Sequence, residues 1–310
     1  MKVLITGGAG YIGSLLCEYL LSKNFKVTVI DNFLFSQNSL NSYYNNKNFD
    51  VISMDVRDQD LAKYVKKNDV IIPLAALVGA PLCDYKKQET KDVNLNSIKR
   101  IVDVISKDQI IIYPTTNSGY GIGEKDKFCT EETPLNPISL YGKTKTEAEK
   151  YLANHQNSVR FRLATVFGCS PRMRLDLLVN DFVFKAVKDR YIVLFEANFK
   201  RNYIHIRDVC EAMMMTLDNF ENFKGETFNL GLSDANLSKL ELCNKIKDHI
   251  PNFEISLNEI GKDIDKRDYI VSNEKIEKKG FVPKHSLDDG IQELLKFYKF
   301  LIPDQTMRNF

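Results

Sequence analysis

The chain has 310 residues, 44% hydrophobic and 27% charged, with a formal net charge of +2. It is long enough to bury a core without a metal or disulfide staple, and its charge gives no case for nucleic acid as a partner. Six cysteines without CxxC spacing and only four histidines argue against a structural zinc site and for reduced thiols. Met1 runs within two residues into an apolar strand pattern, and no apolar run approaches the roughly 20 residues that cross a bilayer. The expectation is therefore a cytoplasmic chain without a membrane partner.

In chain order, Lys2–Thr6 reads as a buried parallel strand that runs into the stretch VLITGGAGYIG, residues 3–13. Gly7 opens a tight turn, Gly10 lets backbone approach a pyrophosphate, and Gly13 lets the next helix, Tyr11–Ser22, pack closely on the sheet. That helix starts with its N–H groups aimed at an anion. The next strand, Lys26–Ile30, leads into Asp31, a carboxylate that can accept both ribose hydroxyls but repels a 2′-phosphate. Strand, turn, helix, strand and acid in this order predict a dinucleotide site selective for NAD over NADP.

Apolar runs continue at Asp50–Met54, Val70–Pro73, Gln109–Tyr113 and Val159–Leu163, separated by helical periodicity over Gln59–Lys66, Val93–Ser106 and Tyr141–His155. This alternation predicts an α/β fold, a Rossmann doubly wound parallel sheet. Beyond residue 168 the rhythm loosens into shorter elements: Asp176–Lys188, Tyr191–Phe195 and Leu237–His249. The chain divides into an NAD-binding Rossmann domain, 1–168, and a smaller α/β domain, 169–310. The latter is mainly substrate-binding and returns some segments to the sheet.

Two clusters carry chemistry. The stretch YPTTNSGYG, residues 113–121, closes an apolar strand with hydroxyls, and the stretch YGKTK, residues 141–145, begins a helix. A spacing of four puts the Tyr141 phenol and the Lys145 ammonium on one helical face, as a tyrosine base would require. Lowering a phenol from about 10 to neutrality takes roughly 4 kcal/mol, expected from Lys145 and an oxidised nicotinamide.

The glycine fingerprint, the 113–121 strand end and the YxxxK helix together resemble the extended short-chain dehydrogenase/reductase family of nucleotide-sugar epimerases, dehydratases and reductases. The resemblance covers essentially residues 1–300. It makes Thr116, 25 residues before Tyr141, a catalytic partner of Tyr141 and Lys145. It assigns the cofactor to Gly7, Gly10, Tyr11, Ile12, Gly13, Asp31 and Asn32. Asp55 and Val56 would flank the adenine, Leu74, Ala75 and Ala76 would line the pyrophosphate and ribose, and Asn94 would support the catalytic helix. Later stretches resemble further family segments: FRLATVFG (161–168), RNYIHIRD (201–208) and 225–231. On that basis Arg201 and Arg267 would hold a substrate diphosphate, joined by Asn180, Arg172 and Arg174. Thr116, Asn117, Ser118 and Thr165 would meet the sugar.

Departures narrow the reading. The 4,6-dehydratase branch carries an Asp-Glu pair directly after its Thr, where this chain has Asn117 and Ser118, so dehydration is not expected. Pro73, Thr165 and the loop Leu77–Cys83 also depart from the galactose-epimerase pattern. The wording of 115–124, 167–179 and 266–273 resembles a subgroup acting on GDP-heptoses in capsule biosynthesis. The resemblance implies oxidation of GDP-D-glycero-alpha-D-manno-heptose at C4, tightly bound NAD(H), 2-oxoglutarate as a possible co-substrate, and a homodimer built on the 93–106 and 141–155 helices. A C4 epimerase, a 4-keto-sugar reductase and, more remotely, a non-catalytic dinucleotide-sensing regulator stay open as alternatives.

Overall fold

The computed structural model describes residues 1–258 and 267–309; Lys266, which opens the 266–273 stretch, lies outside them. Seven parallel strands form the central sheet, in the spatial order Thr227–Leu230, Ser158–Leu163, Ile110–Thr116, Val70–Pro73, Lys2–Thr6, Lys26–Asp31, Phe49–Ser53. Numbered along the chain, this is the 3-2-1-4-5-6 order of a dinucleotide-binding sheet with one strand added. The added strand, Thr227–Leu230, comes from beyond residue 168 and pairs with Ser158–Leu163. The order reverses beside Lys2–Thr6, which pairs with Lys26–Asp31 on one side and Val70–Pro73 on the other. A crevice opens there at the carboxyl ends of the strands, the place where such sheets take their ligands.

The central strands are apolar almost throughout because both faces of the sheet are covered. On one face, Leu15, Leu16 and Leu20 of the Tyr11–Ser22 helix pack with Val209 and Met213 of the Ile206–Asp218 helix. On the other, Leu61, Val65, Ile98, Ile101, Ala148 and Leu152 close the core. Ile98 and Ile101 are therefore buried within the protomer, and their apolar character carries no argument for a dimer. A second core gathers Phe167, Val183, Leu242, Ile246, Ile291 and Leu294. It lies under a three-stranded sheet of Asn236–Ser238, Lys200–His205 and Thr165–Phe167, with Tyr191–Phe195 paired to Glu254–Asn258 nearby.

Two local features differ from the sequence pattern. The expected 93–106 helix begins as a π-helical turn, Asp92–Asn96, before the α-helix Ser97–Val104. The fifth strand outlasts its apolar run and continues to Thr116, because Pro114, Thr115 and Thr116 stay in register with Phe161, Arg162 and Leu163. Among the described residues no helix is long and apolar enough to cross a membrane, no group of three His, Cys, Asp or Glu could hold a metal, and all six cysteines are free.

Candidate active site

The glycine turn is built by sterics. Gly7 has φ +73°, and a Cβ there would lie 2.5 Å from the backbone nitrogen of Ala75. A Cβ on Gly13 would lie 2.6 Å from the Gly7 carbonyl oxygen, so only glycine lets the helix start this close to the turn. Gly10 caps that helix without any side-chain hydrogen bond, which leaves the N-terminal N–H groups available to an anion. Asp31 ties the turn to the neighbouring strand: one oxygen accepts the Ala9 N–H at 3.0 Å and the other the Phe33 N–H at 2.8 Å. Each oxygen keeps a lone pair for a ribose hydroxyl. Burial raises the Asp31 pKa, opposed by these two N–H groups and by the Arg172 charge.

Two cavities meet at this turn, both lined by Gly7, Gly10, Phe35, Leu74, Ala76 and Arg172. The smaller, about 110 Å³, runs past Asp31, Asn32, Asp55, Val56 and Ala75. Asp55 is fixed there by Arg57 at 2.8 Å and Asn32 at 3.1 Å, and its carboxyl is held down at about 2, chiefly by Arg57. The larger cavity, about 520 Å³, holds Tyr11, Ile12, Gly13, Thr116, Tyr141, Lys145 and Thr165. Arg174, Arg201 and Arg267 line its far part.

The catalytic candidates come from two elements. Thr116 ends the fifth strand and caps the turn after it, accepting the Ser118 N–H at 3.1 Å and donating to the Ser118 hydroxyl at 2.9 Å. Tyr141 sits in the first turn of the Leu140–Leu152 helix, which is capped by Ser139. It packs on Leu77 of the loop after the fourth strand and on Leu82 and Cys83 of the short helix Ala80–Tyr85 that follows. Burial pushes the Tyr141 phenol up to about 12, with Cys83 adding to the rise, while Arg267, Arg174 and a hydrogen bond with Thr116 pull it down. Lys145, one turn on, lies 4.0 Å above the Tyr113 ring, and burial holds its ammonium down at about 7 against the pull of Glu149. Lowering of Tyr141 is expected from Lys145 and an oxidised nicotinamide together, and in the bare chain Lys145 by itself does not supply it. An amine that gives up its proton near 7 is neutral long before a phenol near 12 ionises.

Several assigned residues stand elsewhere. Asn180 is fully buried and outside the cavity walls, because its amide is saturated: it accepts the Gly168 N–H at 3.1 Å and donates to the Arg174 carbonyl at 2.9 Å. Asn117 and Ser118 are buried behind the strand end and do not line the cavity. Ser118 is the hydrogen-bond partner of Arg267. Asn94 holds both backbone groups of Leu77, each at 2.8 Å, so it shapes the loop beside Tyr141. In 201–208 only Arg201 lines the cavity. Asn202 donates to the Leu232 carbonyl at 2.6 Å, and Asp208 accepts the Lys284 N–H at 2.9 Å, which makes these residues scaffold. The wall residues that escaped the sequence reading include Phe35, Tyr269 and Lys239. Lys239, buried and donating to the Phe195 carbonyl at 2.9 Å, opens a helix whose dipole disfavours a cation at that end; that misplacement was the available signal.

With this geometry in place, comparison with known proteins is decisive on lineage. Residues 3–231 match the family model described as the NAD dependent epimerase/dehydratase family. The chain belongs to that family. It is 27% identical over 310 residues to the low-salt glycan biosynthesis protein Agl12 of Haloferax volcanii, covering 96% of this chain and 98% of that one. To the human dTDP-D-glucose 4,6-dehydratase it is 25% identical, with 96% and 90% covered. Among solved structures, the UDP-glucuronic acid 4-epimerase of Bacillus cereus, crystallised with UDP-glucuronic acid and NAD, superposes with a TM-score of 0.84 at 26% identity, covering 96% of this chain and 99% of that one.

Proposed function

We propose that this chain is an NAD-dependent oxidoreductase that acts at C4 of a nucleotide sugar. The observation that carries the reading is a single cavity with the glycine turn at one side, Thr116, Tyr141 and Lys145 on its wall, and three arginines beyond them. The site fits NAD: the glycine cradle admits no Cβ, and the half-used Asp31 carboxylate suits ribose hydroxyls and disfavours a 2′-phosphate. When bound, NAD supplies the hydride acceptor.

The chain's own residues do the rest. Tyr141, ionised, removes the C4 hydroxyl proton as the C4–H bond breaks, and Thr116 hydrogen-bonds the same hydroxyl and sets its direction. Arg201 and Arg267, with planar forks suited to phosphate oxygens, hold the nucleotide diphosphate. The dehydratase relatives notwithstanding, elimination has no acid–base pair here, since Asn117 and Ser118 are neutral and stand outside the cavity.

The finer reading is a GDP-D-glycero-alpha-D-manno-heptose 4-dehydrogenase, supported by the wording of 115–124, 167–179 and 266–273. Regeneration of oxidised cofactor by a keto acid such as 2-oxoglutarate belongs to it. The second reading, a C4 epimerase, is favoured by the wall Val78–Leu82, which offers the sugar no polar side chain and would let a 4-keto intermediate turn over. Mass spectrometry of the GDP-heptose product, with and without 2-oxoglutarate, separates them. Keto-acid-dependent loss of two hydrogens supports the dehydrogenase, whereas an isobaric product formed without an acceptor establishes epimerisation instead.

A further inference from the structure

The Gly168–Arg174 segment belongs to the second half of the chain yet is bound to the first turn of the cofactor helix. Tyr11 donates its phenol to the Gly168 carbonyl at 2.7 Å, Ser170 donates to the Tyr11 carbonyl at 2.6 Å, and the Arg172 N–H reaches the Ser14 hydroxyl at 3.3 Å. These bonds set Arg172 against the helix N-terminus. Its guanidinium lies 4.2 Å over the Phe35 ring and donates to the Asn309 side chain at 2.7 Å. Arg172 is 2% exposed, and its buried Nε has no hydrogen-bond partner among the described residues.

Arg172 is the only cation among the described residues that lines the smaller cavity, and the only one shared by both. The stretch common to the two is the glycine turn, where the pyrophosphate of an extended dinucleotide has to pass. The acids that favour its charge are Asp31 and Asp176, but Asp176 is already bonded to Arg174 at 2.6 Å. A guanidinium so buried, with one donor idle and a second arginine nearby, lacks an anion. We propose that Arg172 clamps the pyrophosphate of the dinucleotide, not the diphosphate of the sugar nucleotide, and so closes the cofactor under the second half of the chain. The substrate diphosphate is left to Arg201 and Arg267. This rests on the dinucleotide lying over the glycine turn.

The test uses the full chain freed of nucleotide and its Arg172→Met variant, which keeps the stem over Phe35. Dissociation constants are measured by calorimetry for NAD, adenosine and GDP, with thermal unfolding in parallel. Loss of charge-assisted hydrogen bonds predicts NAD weakened about 10–100-fold with adenosine and GDP unchanged, and a variant that leaves purification with less bound NAD. Unchanged NAD affinity overturns the proposal, as does a selective loss of GDP, which would return Arg172 to the substrate. Loss of adenosine along with NAD assigns it a structural role and also overturns the proposal. Failure of the wild-type chain to bind NAD would instead remove the dinucleotide reading beneath it. Should the methionine variant not fold, Arg172→Lys, which keeps the charge without the fork, must bind NAD more weakly than wild type while GDP is unaffected; equality in NAD refutes the clamp.

Discussion

Replacing Lys145 with methionine isolates what its ammonium does for the base. Burial pushes the Tyr141 phenol up to about 12, so a base working near neutrality must fall by roughly five units, about 7 kcal/mol. One positive charge at about 4 Å, in an effective dielectric of about 20, contributes about 4 kcal/mol, or roughly three units. One cation is therefore insufficient and two suffice: the oxidised nicotinamide and the Lys145 ammonium, which the phenolate, once formed beside it, keeps protonated above its bare-chain value of about 7. The active form of Tyr141 is the phenolate, so activity rises with pH through its pKa. Lys145→Met should move that rise up by about two to three units, lowering kcat/KM at pH 7.5 by about 10²–10³-fold, with recovery as the pH approaches 10.

Stability should change in the opposite sense. Folding holds the Lys145 pKa down from 10.5 to about 7, a penalty of about 5 kcal/mol that is fully present below pH 7 and disappears as pH rises through 10.5. The methionine variant should therefore melt higher than wild type at pH 6, which excludes unfolding as the cause of lost activity. The assay is NADH absorbance across pH with calorimetry alongside. A variant slowed equally at every pH would show that Lys145 only positions the cofactor, and the electrostatic argument would fail.

Three further outcomes follow from the site. Thr116→Val removes the hydroxyl that bonds Ser118 and Tyr141; kcat should fall by about 10²-fold, as expected for a proton-transfer partner, with substrate affinity from calorimetry little changed. Asp31→Asn keeps an acceptor for the Ala9 or Phe33 N–H but removes the charge; NAD should bind about tenfold more weakly while the preference against NADP narrows, read by fluorescence titration of both. Glu149→Ala strips the counter-charge from Arg162, which donates to it at 2.7 Å with both side chains under 10% exposed. The loss should be about 3–5 kcal/mol in urea unfolding at pH 7, and a change below 1 kcal/mol would mean that Tyr120 and the Glu131 carbonyl hold the guanidinium unaided.

The parts of the site legible in the sequence are those whose geometry is local. Gly7, Gly10 and Gly13 report backbone sterics within one turn, Asp31 follows one strand later, and Tyr141 and Lys145 are one helical turn apart. Thr116 was reachable only through resemblance, because its strand runs on three residues past the apolar pattern. The far wall was legible only through resemblance, which named Arg174, Arg201 and Arg267 but named Asn180 beside them. Arg172, Arg174 and Asn180 lie within nine residues of one another, yet a polar residue in a loop or in the first turn of a helix carries no mark of the side it faces. Asn180 turned inward to hold Gly168 and Arg174 backbone, and Arg172 turned toward the cofactor turn. The placement of Arg172 depends on hydrogen bonds to partners more than 100 residues away, Ser14 and Asn309, that periodicity does not encode. Gly231 teaches the same: a Cβ there would fall 1.6 Å from the Asn202 side-chain oxygen, so two stretches that resemble family segments are partly one packing device.

The central claim is that Tyr141 drives C4 oxidation on bound NAD, and a single-turnover experiment tests it most directly. NAD-loaded protein is mixed with GDP-heptose carrying hydrogen or deuterium at C4, and absorbance at about 340 nm is followed for wild type and Tyr141→Phe, the signal arising from cofactor reduction. The account predicts a burst in wild type that deuterium slows severalfold and that the phenylalanine variant lacks. A burst insensitive to deuterium at C4, or one that survives the loss of the phenol, would contradict it.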